Sequence, residues 1–218
     1  MTSTGKSNEQ IYMDFWRPYY HGSIDRSQYI LTLTDNYMRN VWIFTMKTCN
    51  FKELIKILKP WIAEIEWEIS NKIKRFRVDN AKEFKKLVEW LKKKGIIMKF
   101  STSYTSKQVG IAEWMNYILL MIVRALLFDL GLPRRFWPYA THAAVYIKNQ
   151  MMKIRQTDKT PYKLWTDKRL NLSNMQIWGC KCWIHLLNKK DKLNPRAEEG
   201  IFINYTDVFN QYLIFLSD

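Results

Sequence analysis

Residues 73–84 read Ile-Lys-Arg-Phe-Arg-Val-Asp-Asn-Ala-Lys-Glu-Phe. From Ile73 to Val78 two sets of side chains alternate. Ile73, Arg75 and Arg77 lie on one side, and Lys74, Phe76 and Val78 on the other. A period of two marks a strand, here ending at Asp79. Phe84, Leu87, Val88 and Leu91 then recur at spacings of three and four, which marks a helix. Gly95 closes that helix behind Lys92, Lys93 and Lys94, cations suited to a helix C-terminus. An acid therefore stands at a strand-to-helix junction, and the chain on either side decides what sheet the strand joins.

Upstream, IYMDFW (11–16) reads as a short buried strand with one acid, Asp14, inside it. QYILTLTD (28–35) and NVWIFTMK (40–47) are two β-type runs joined by a short polar turn, an antiparallel hairpin in which Asp35 is a turn residue. Phe51, Leu54, Leu58, Trp61, Ile62, Ile65 and Ile69 then define an amphipathic helix, which Pro60 should kink or break. Downstream, IIMKF (96–100) is a fifth strand and STSYTSKQVG (101–110) a polar loop. A helix runs from about Ile111 to Leu130, ended by Gly131. Pro133 opens another, through about Gln150, and Thr160-Pro161 starts a short third ending near Trp165. From about Ile177 the pattern turns to short strands: WGCKCWIHLL, GIFINY and QYLIFL. The order predicts an α/β fold, a mixed five-stranded sheet flanked by helices with a small C-terminal β-barrel or hairpin appendage. The expected divisions are a disordered 1–10, a core over 11–150, a helical linker over 151–176 and a β segment, truncated, over 177–218.

Composition narrows the function classes. The chain has 218 residues, 35 Lys plus Arg against 20 Asp plus Glu, and a net charge of +15. A polyanion, nucleic acid first among them, is the expected partner. Seven Gly and six Pro exclude a fibrous or linker chain. Three Cys make no disulfide scaffold and fit an intracellular, nuclear or cytoplasmic protein that is not secreted. Cys180 and Cys182 read as buried structural thiols, and the ten Trp as core rather than as a base-stacking platform. No apolar run of about 20 residues is evident, so no membrane span is expected.

In a basic chain the informative charges are acids on apolar elements. Asp14 in a strand, Asp79 at a strand end and Glu113 near the start of an apolar helix are three such acids. Brought to one end of the sheet, their hard oxygens would suit Mg²⁺ or Mn²⁺. Two such ions would activate an attacking oxygen and stabilise a leaving oxygen at a phosphodiester. Each acid also has a plain role: a partner for a nearby cation, a helix cap at Asp79-Asn80, or a first-turn helix acid. Glu83 reads as one of the last kind, and Arg75 and Arg77 share a strand face that could border DNA.

The runs DFWRP (14–18), QYILTLTDNYMRNVWIFTMK (28–47), RFRVDNAKEF (75–84) and SYTSKQVGIAEWMNYIL (103–119) resemble the integrase catalytic core of copia-type LTR retrotransposons. GLPRRFW, KTPYKLW and IWGCKCWIH with KLNPRAEEGIFINY resemble the segments that follow that core. The resemblance implies an RNase H-like fold with Asp14, Asp79 and Glu113 as a catalytic metal triad for two Mg²⁺ or Mn²⁺ ions, and an SH3-like tail. It implies DNA, possibly RNA, as partner, a homo-multimer, and DNA integration by strand transfer. It implies nucleic-acid contacts from Asn80, Lys82, Tyr104, Lys107, Gln108 and Asn116, with Arg75 and Arg77 beside them. The family's zinc-binding module has no matching spacing among His21, His142 and His185, and no zinc is expected. The chain departs from the family at Arg17, Ser106 and Val109. Trp114 and Tyr117 stand where the family carries Arg, which predicts lost phosphate contacts beside the triad. These departures imply a degenerate or fragmentary copy, with a non-catalytic nucleic-acid-binding relic as the alternative function, and another Mg²⁺-dependent nuclease as a third.

Overall fold

The computed structural model describes residues 9–17, 22–78, 85–100, 106–154, 157–168, 175–186, 195–205 and 211–216, without the side chains of 85 and 106–109. The expected disordered 1–10 falls almost wholly outside them, as do His21 and Glu83. Five strands make the main sheet: β1 (Gln10–Trp16), β2 (Tyr29–Asp35), β3 (Val41–Met46), β4 (Arg75–Val78) and β5 (Ile97–Phe100). Their spatial order is β3-β2-β1-β4-β5. β1 pairs antiparallel with β2 and parallel with β4, and β4 pairs parallel with β5. The predicted mixed sheet is therefore present, with β1 at its centre.

Each face carries its own core. Helix α1 (Phe51–Ile69) and helix α2 (Lys85–Lys93) cover the first face. Ile11, Met13, Leu31, Leu33, Phe76 and Val78 meet Leu54, Leu58, Trp61 and Leu87 there. The second face receives α3 (Ser106–Asp129) and α4 (Trp137–Met151). Ile30, Val41 and Ile43 pack there on Met115, Leu119, Val123, Trp137 and Ala140. The period-two pattern of β1 thus sends Ile11, Met13 and Phe15 one way and Tyr12, Asp14 and Trp16 the other.

Four expectations change. Pro60 does not break α1, which runs unbroken from Asn50, its side-chain N-cap, to Ser70. Pro60 and Lys56 both lie on the solvent side, where water can take the carbonyl that the missing N–H leaves unbonded. Helix α3 begins at Ser106, inside the expected polar loop. Its window Gly110–Asp129 is also long and apolar enough to cross a bilayer, with mean hydropathy 1.6, contrary to the reading that no such run exists. The Trp residues divide. Trp61, Trp137 and Trp178 are buried, and Trp42 sits edge-on between Trp61 and Trp165. Trp67, Trp114 and Trp183 are exposed.

The tail is a three-stranded antiparallel sheet, β6 (Lys181–His185), β7 (Ala197–Tyr205) and β8 (Tyr212–Phe215), in the order β6-β7-β8. It packs on α4: Tyr205 stacks on Tyr146 at 4.2 Å, and Phe215 meets Phe136 edge-on at 5.0 Å. Trp178 and Phe202 join the second core, and the indole of Trp178 donates to the Ile203 carbonyl. The short helix α5 (Pro161–Thr166), capped by Thr160, leads from the core toward this sheet. Cys180 and Cys182 are free and half-buried, and Cys182 Sγ donates to the Gly200 carbonyl.

The C-terminal end of α4 is tied to the edge strand β3. Asn149 takes both ends of Val41: its Oδ1 accepts from the Val41 N–H at 3.0 Å, and its Nδ2 donates to the Val41 carbonyl at 2.7 Å. Beside it Lys148, only 4% exposed, donates to the Arg39 carbonyl. Burial, with the nearby Arg39 charge, lowers its pKa from 10.5 to about 7, against the opposing pull of Asp35. Between about 7 and 10.5 the unfolded chain holds a proton at Lys148 that the folded chain releases, so stability rises with pH there. Urea unfolding midpoints should rise from pH 7 to pH 9, and Lys148→Met should remove much of that slope, up to about 1 kcal/mol per pH unit.

Candidate metal and nucleic-acid site

The centre of the candidate site is the second face of β1. Asp14 is half-buried there, opposite Thr32 of β2. Helix α3 crosses this face, and Asn116 Nδ2 donates to Asp14 Oδ2 at 2.7 Å. A hydrogen bond to a carboxylate is a strong one, and it fixes which way the Asn116 amide faces. Its Oδ1, buried without a hydrogen-bond partner, is then an orphaned oxygen acceptor close to Asp14. Glu113 lies one turn earlier on α3 and is exposed.

The third acid, Asp79, directly follows β4 in sequence. Met13 pairs with Val78, so Asp14 and Asp79 each follow a residue of that pair. Asp79 itself lies outside the described residues, as do Asn80, Lys82 and Tyr104. Lys107 and Gln108 fall in the first turns of α3, their side chains outside the description. Among the described residues no group of three His, Cys, Asp or Glu forms a metal cage. The donor types nevertheless fit a hard cation. Asp14 and Glu113 offer carboxylates and Asn116 a spare amide oxygen, with no thiol or imidazole among them.

Cations surround these groups. Arg75 and Arg77 are half-buried on the second face of β4, beside Gln10 and Tyr12 of β1. Lys99 of β5 is in register with Arg77, so it joins the same face, and it is exposed. Beyond the end of β1, a cleft of about 1010 Å³ opens between Trp16, α3 and the start of α4, rimmed by Arg17, Arg124 and Arg134. Arg17 is held by Gln28 at 3.1 Å and lies over the Tyr29 ring at 5.4 Å. Lys99 and Arg134 were not singled out in the sequence. Lys99 is found only through the parallel register of β4 and β5. Nothing local marks Arg134, which meets the cleft only through the turn between α3 and α4.

The fold compares with solved integrase cores. An HTLV-2 integrase catalytic core domain in complex with magnesium matches with a TM-score of 0.55 and 18% identity, over 72% of this chain and 96% of that one. A chain of a simian T-cell lymphotropic virus intasome matches with a TM-score of 0.59 and 17% identity, over 95% of this chain and 76% of that one. In sequence, the Pol polyprotein of transposon TNT 1-94 from Nicotiana tabacum is 28% identical over 200 residues, 90% of this chain. That of transposon RE2 from Arabidopsis thaliana is 26% identical over 214 residues.

The chain is similar in sequence to these retrotransposon Pol polyproteins and shares the fold of the integrase cores. No family model matches it. The integrase-like core spans about 15% of the length of the curated polyproteins it resembles. Its five-stranded sheet, flanking helices and small tail sheet are the architecture that the copia-type resemblance implied.

The Asn116–Asp14 bond should be measurable apart from any activity. Asn116→Ala should lower unfolding free energy by roughly 1–3 kcal/mol, the usual range for a hydrogen bond to a charged group. Asn116→Asp, which sets two carboxylates together, should lower it further at pH 8 than at pH 5. Urea titration at the two pH values reads both effects.

Proposed function

We propose that this chain is the catalytic core of a retrotransposon integrase, carrying out metal-dependent strand transfer at DNA phosphodiesters. The observation that carries the reading is Asp14 on the central strand, held by Asn116 of the helix that also bears Glu113. The pairing of Met13 with Val78 supports it, since Asp14 and Asp79 follow those two residues in sequence. Asp14, Asp79 and Glu113 would hold Mg²⁺ or Mn²⁺, with Asn116 Oδ1 as a further oxygen. Such ions, when bound, make an attacking water or DNA 3′-hydroxyl more acidic and neutralise the leaving oxygen.

The rest is done by the chain itself. Asn116 orients the Asp14 carboxylate, keeping its position on β1 while the neighbouring acids and phosphates change charge. Arg75, Arg77 and Lys99 meet phosphate on the sheet side, and Arg17 and Arg134 meet it at the cleft. Asn80, Lys82, Tyr104, Lys107 and Gln108 are the further DNA contacts that the resemblance supports. The helix bearing Glu113 is buried on Met115, Leu119 and Val123, so Glu113 is carried on a fixed support.

A second reading, a nucleic-acid-binding relic without turnover, is favoured by one observation. Trp114 and Tyr117, on either side of Asn116 and Met115, are exposed aromatics where phosphate-binding cations are expected. The two readings differ in turnover, not in affinity. A strand-transfer assay with Mn²⁺ should give product with the chain and lose about a hundredfold or more in Asp14→Asn, Asp79→Asn and Glu113→Gln. DNA affinity should be unchanged or higher in the variants and should fall steeply with salt. Equal product from the chain and Asp79→Asn would contradict the enzyme reading. Salt-sensitive binding with no product from any of them would select the relic.

A further inference from the structure

Helix α3 has a second face that the core does not use. Its buried line is Ala112, Met115, Leu119 and Val123. On the outer side, Trp114 is 60% exposed, Tyr117 52%, Met121 51% and Phe128 90%, with exposed Arg124 among them. Trp114 and Tyr117 stack, with ring centroids 5.7 Å apart and planes at 26°, so one large aromatic surface is already assembled. It lies beside the candidate metal site. Glu113 stands one turn before Tyr117, and Asn116, bonded to Asp14, is its neighbour in the chain. At its other end the face runs into the cleft, which Arg124 and Phe128 line. From Trp114 to Phe128 the helix rises about 21 Å.

We propose that this face is a stacking track for an unpaired DNA strand. Bases lie on the Trp114–Tyr117 pair and on Phe128, and the phosphates between them meet Arg124 and the arginines of the cleft. The proposal rests on the nucleic-acid binding that both readings above share, and on neither turnover nor metal. Three features favour an unpaired strand over a duplex. In a duplex the base faces cover one another and the outside is phosphate, to which aromatic rings offer no donor. An unpaired strand bares every base face, and aromatic side chains set among cations are the surface that takes it. Finally, the rings stand where the resemblance expects Arg, so a contact to phosphate is exchanged for a contact to bases. Charge agrees with the occupant, because residues 114–128 include no acid and the cleft is rimmed by Arg17, Arg124 and Arg134. A lipid surface fits less well, because Arg124 sits within the face and Glu113 at its start. A stacking face reads no sequence, so the track selects the strandedness of the DNA and not its bases.

Fluorescence anisotropy in EDTA, where no metal-dependent step runs, tests this with three labelled DNAs of equal length: a single strand, the same strand made abasic throughout, and its blunt duplex. The single strand should bind about tenfold or more tighter than the abasic one. Trp114→Ala and Tyr117→Ala should each weaken the single strand about fivefold or more and leave the abasic strand and the duplex within about twofold, with unchanged circular dichroism. Trp114→Phe should keep most of the affinity. Raising NaCl from about 50 to 200 mM should weaken both strands in parallel, so that the ratio between them persists. Equal affinity for the base-bearing and abasic strands would overturn the proposal, as would alanine variants that weaken all three DNAs alike. Flotation with phosphatidylcholine–phosphatidylserine vesicles that Phe128→Asp abolishes, with no preference for bases, would assign the face to lipid instead. Because EDTA stops turnover, a failed strand-transfer assay leaves this prediction standing, and equal binding of the abasic strand leaves the strand-transfer prediction standing.

Discussion

The pairing of β1 with β4 is the constraint on which the rest depends. A parallel pair cannot be joined by a tight turn, so the chain must leave β1, form the β2–β3 hairpin and cross back over α1 before β4 can dock. That route closes the first core around Leu54, Leu58, Trp61 and Phe76. It also fixes which residues of β1 and β4 share the second face. Met13 pairs with Val78 at the end of that register, so Asp14 follows one member of the last pair on β1. A slip of one residue would turn Asp14 into the α1 core and Met13 toward α3, at the cost of an unpaired buried carboxylate.

Helix α3 answers to this constraint from the other side. It packs Met115, Leu119 and Val123 on the sheet while Asn116, between them, bonds Asp14. The same helix carries Glu113, so the position of one acid is set by the helix that steadies another. Its outward ridge of Trp114, Tyr117, Met121 and Phe128 is a separate matter, since nothing in the core needs large apolar side chains there. One apolar helix thus serves a core and a polar site and leaves an exposed apolar face. That is why its composition alone matches a bilayer span while 22% of the window is buried.

Much of this was legible in the sequence because the informative patterns are local. Alternation at 73–78 and the apolar run at 11–16 gave both strands, and the hairpin with the intervening helices gave a mixed five-stranded sheet, whose order and the face of Asp14 came from the structure. What was not legible depended on contacts distant in sequence. Pro60 reads as a breaker until its turn of α1 is seen to face water. Ser106–Gly110 reads as a loop by composition and is the first turn of α3. Asn149 and Lys148 carry no motif, yet they tie α4 to the edge of β3 across more than a hundred residues. Lys99 joins Arg77 only through a parallel register that no local pattern encodes. The exposed Trp67, Trp114 and Trp183 show the same limit, because hydrophobicity does not say which side of a helix or strand will be covered.

The central claim is that Asp14, Asp79 and Glu113 form one cation site on the second face of β1. A crystal soaked in Mn²⁺ and measured at the manganese edge tests it most directly. The account predicts anomalous density at about 2.0–2.4 Å from carboxylate oxygens of both Asp14 and Asp79, with Asn116 beside it. Manganese bound elsewhere on the chain, or touching Asp14 without Asp79, would contradict it.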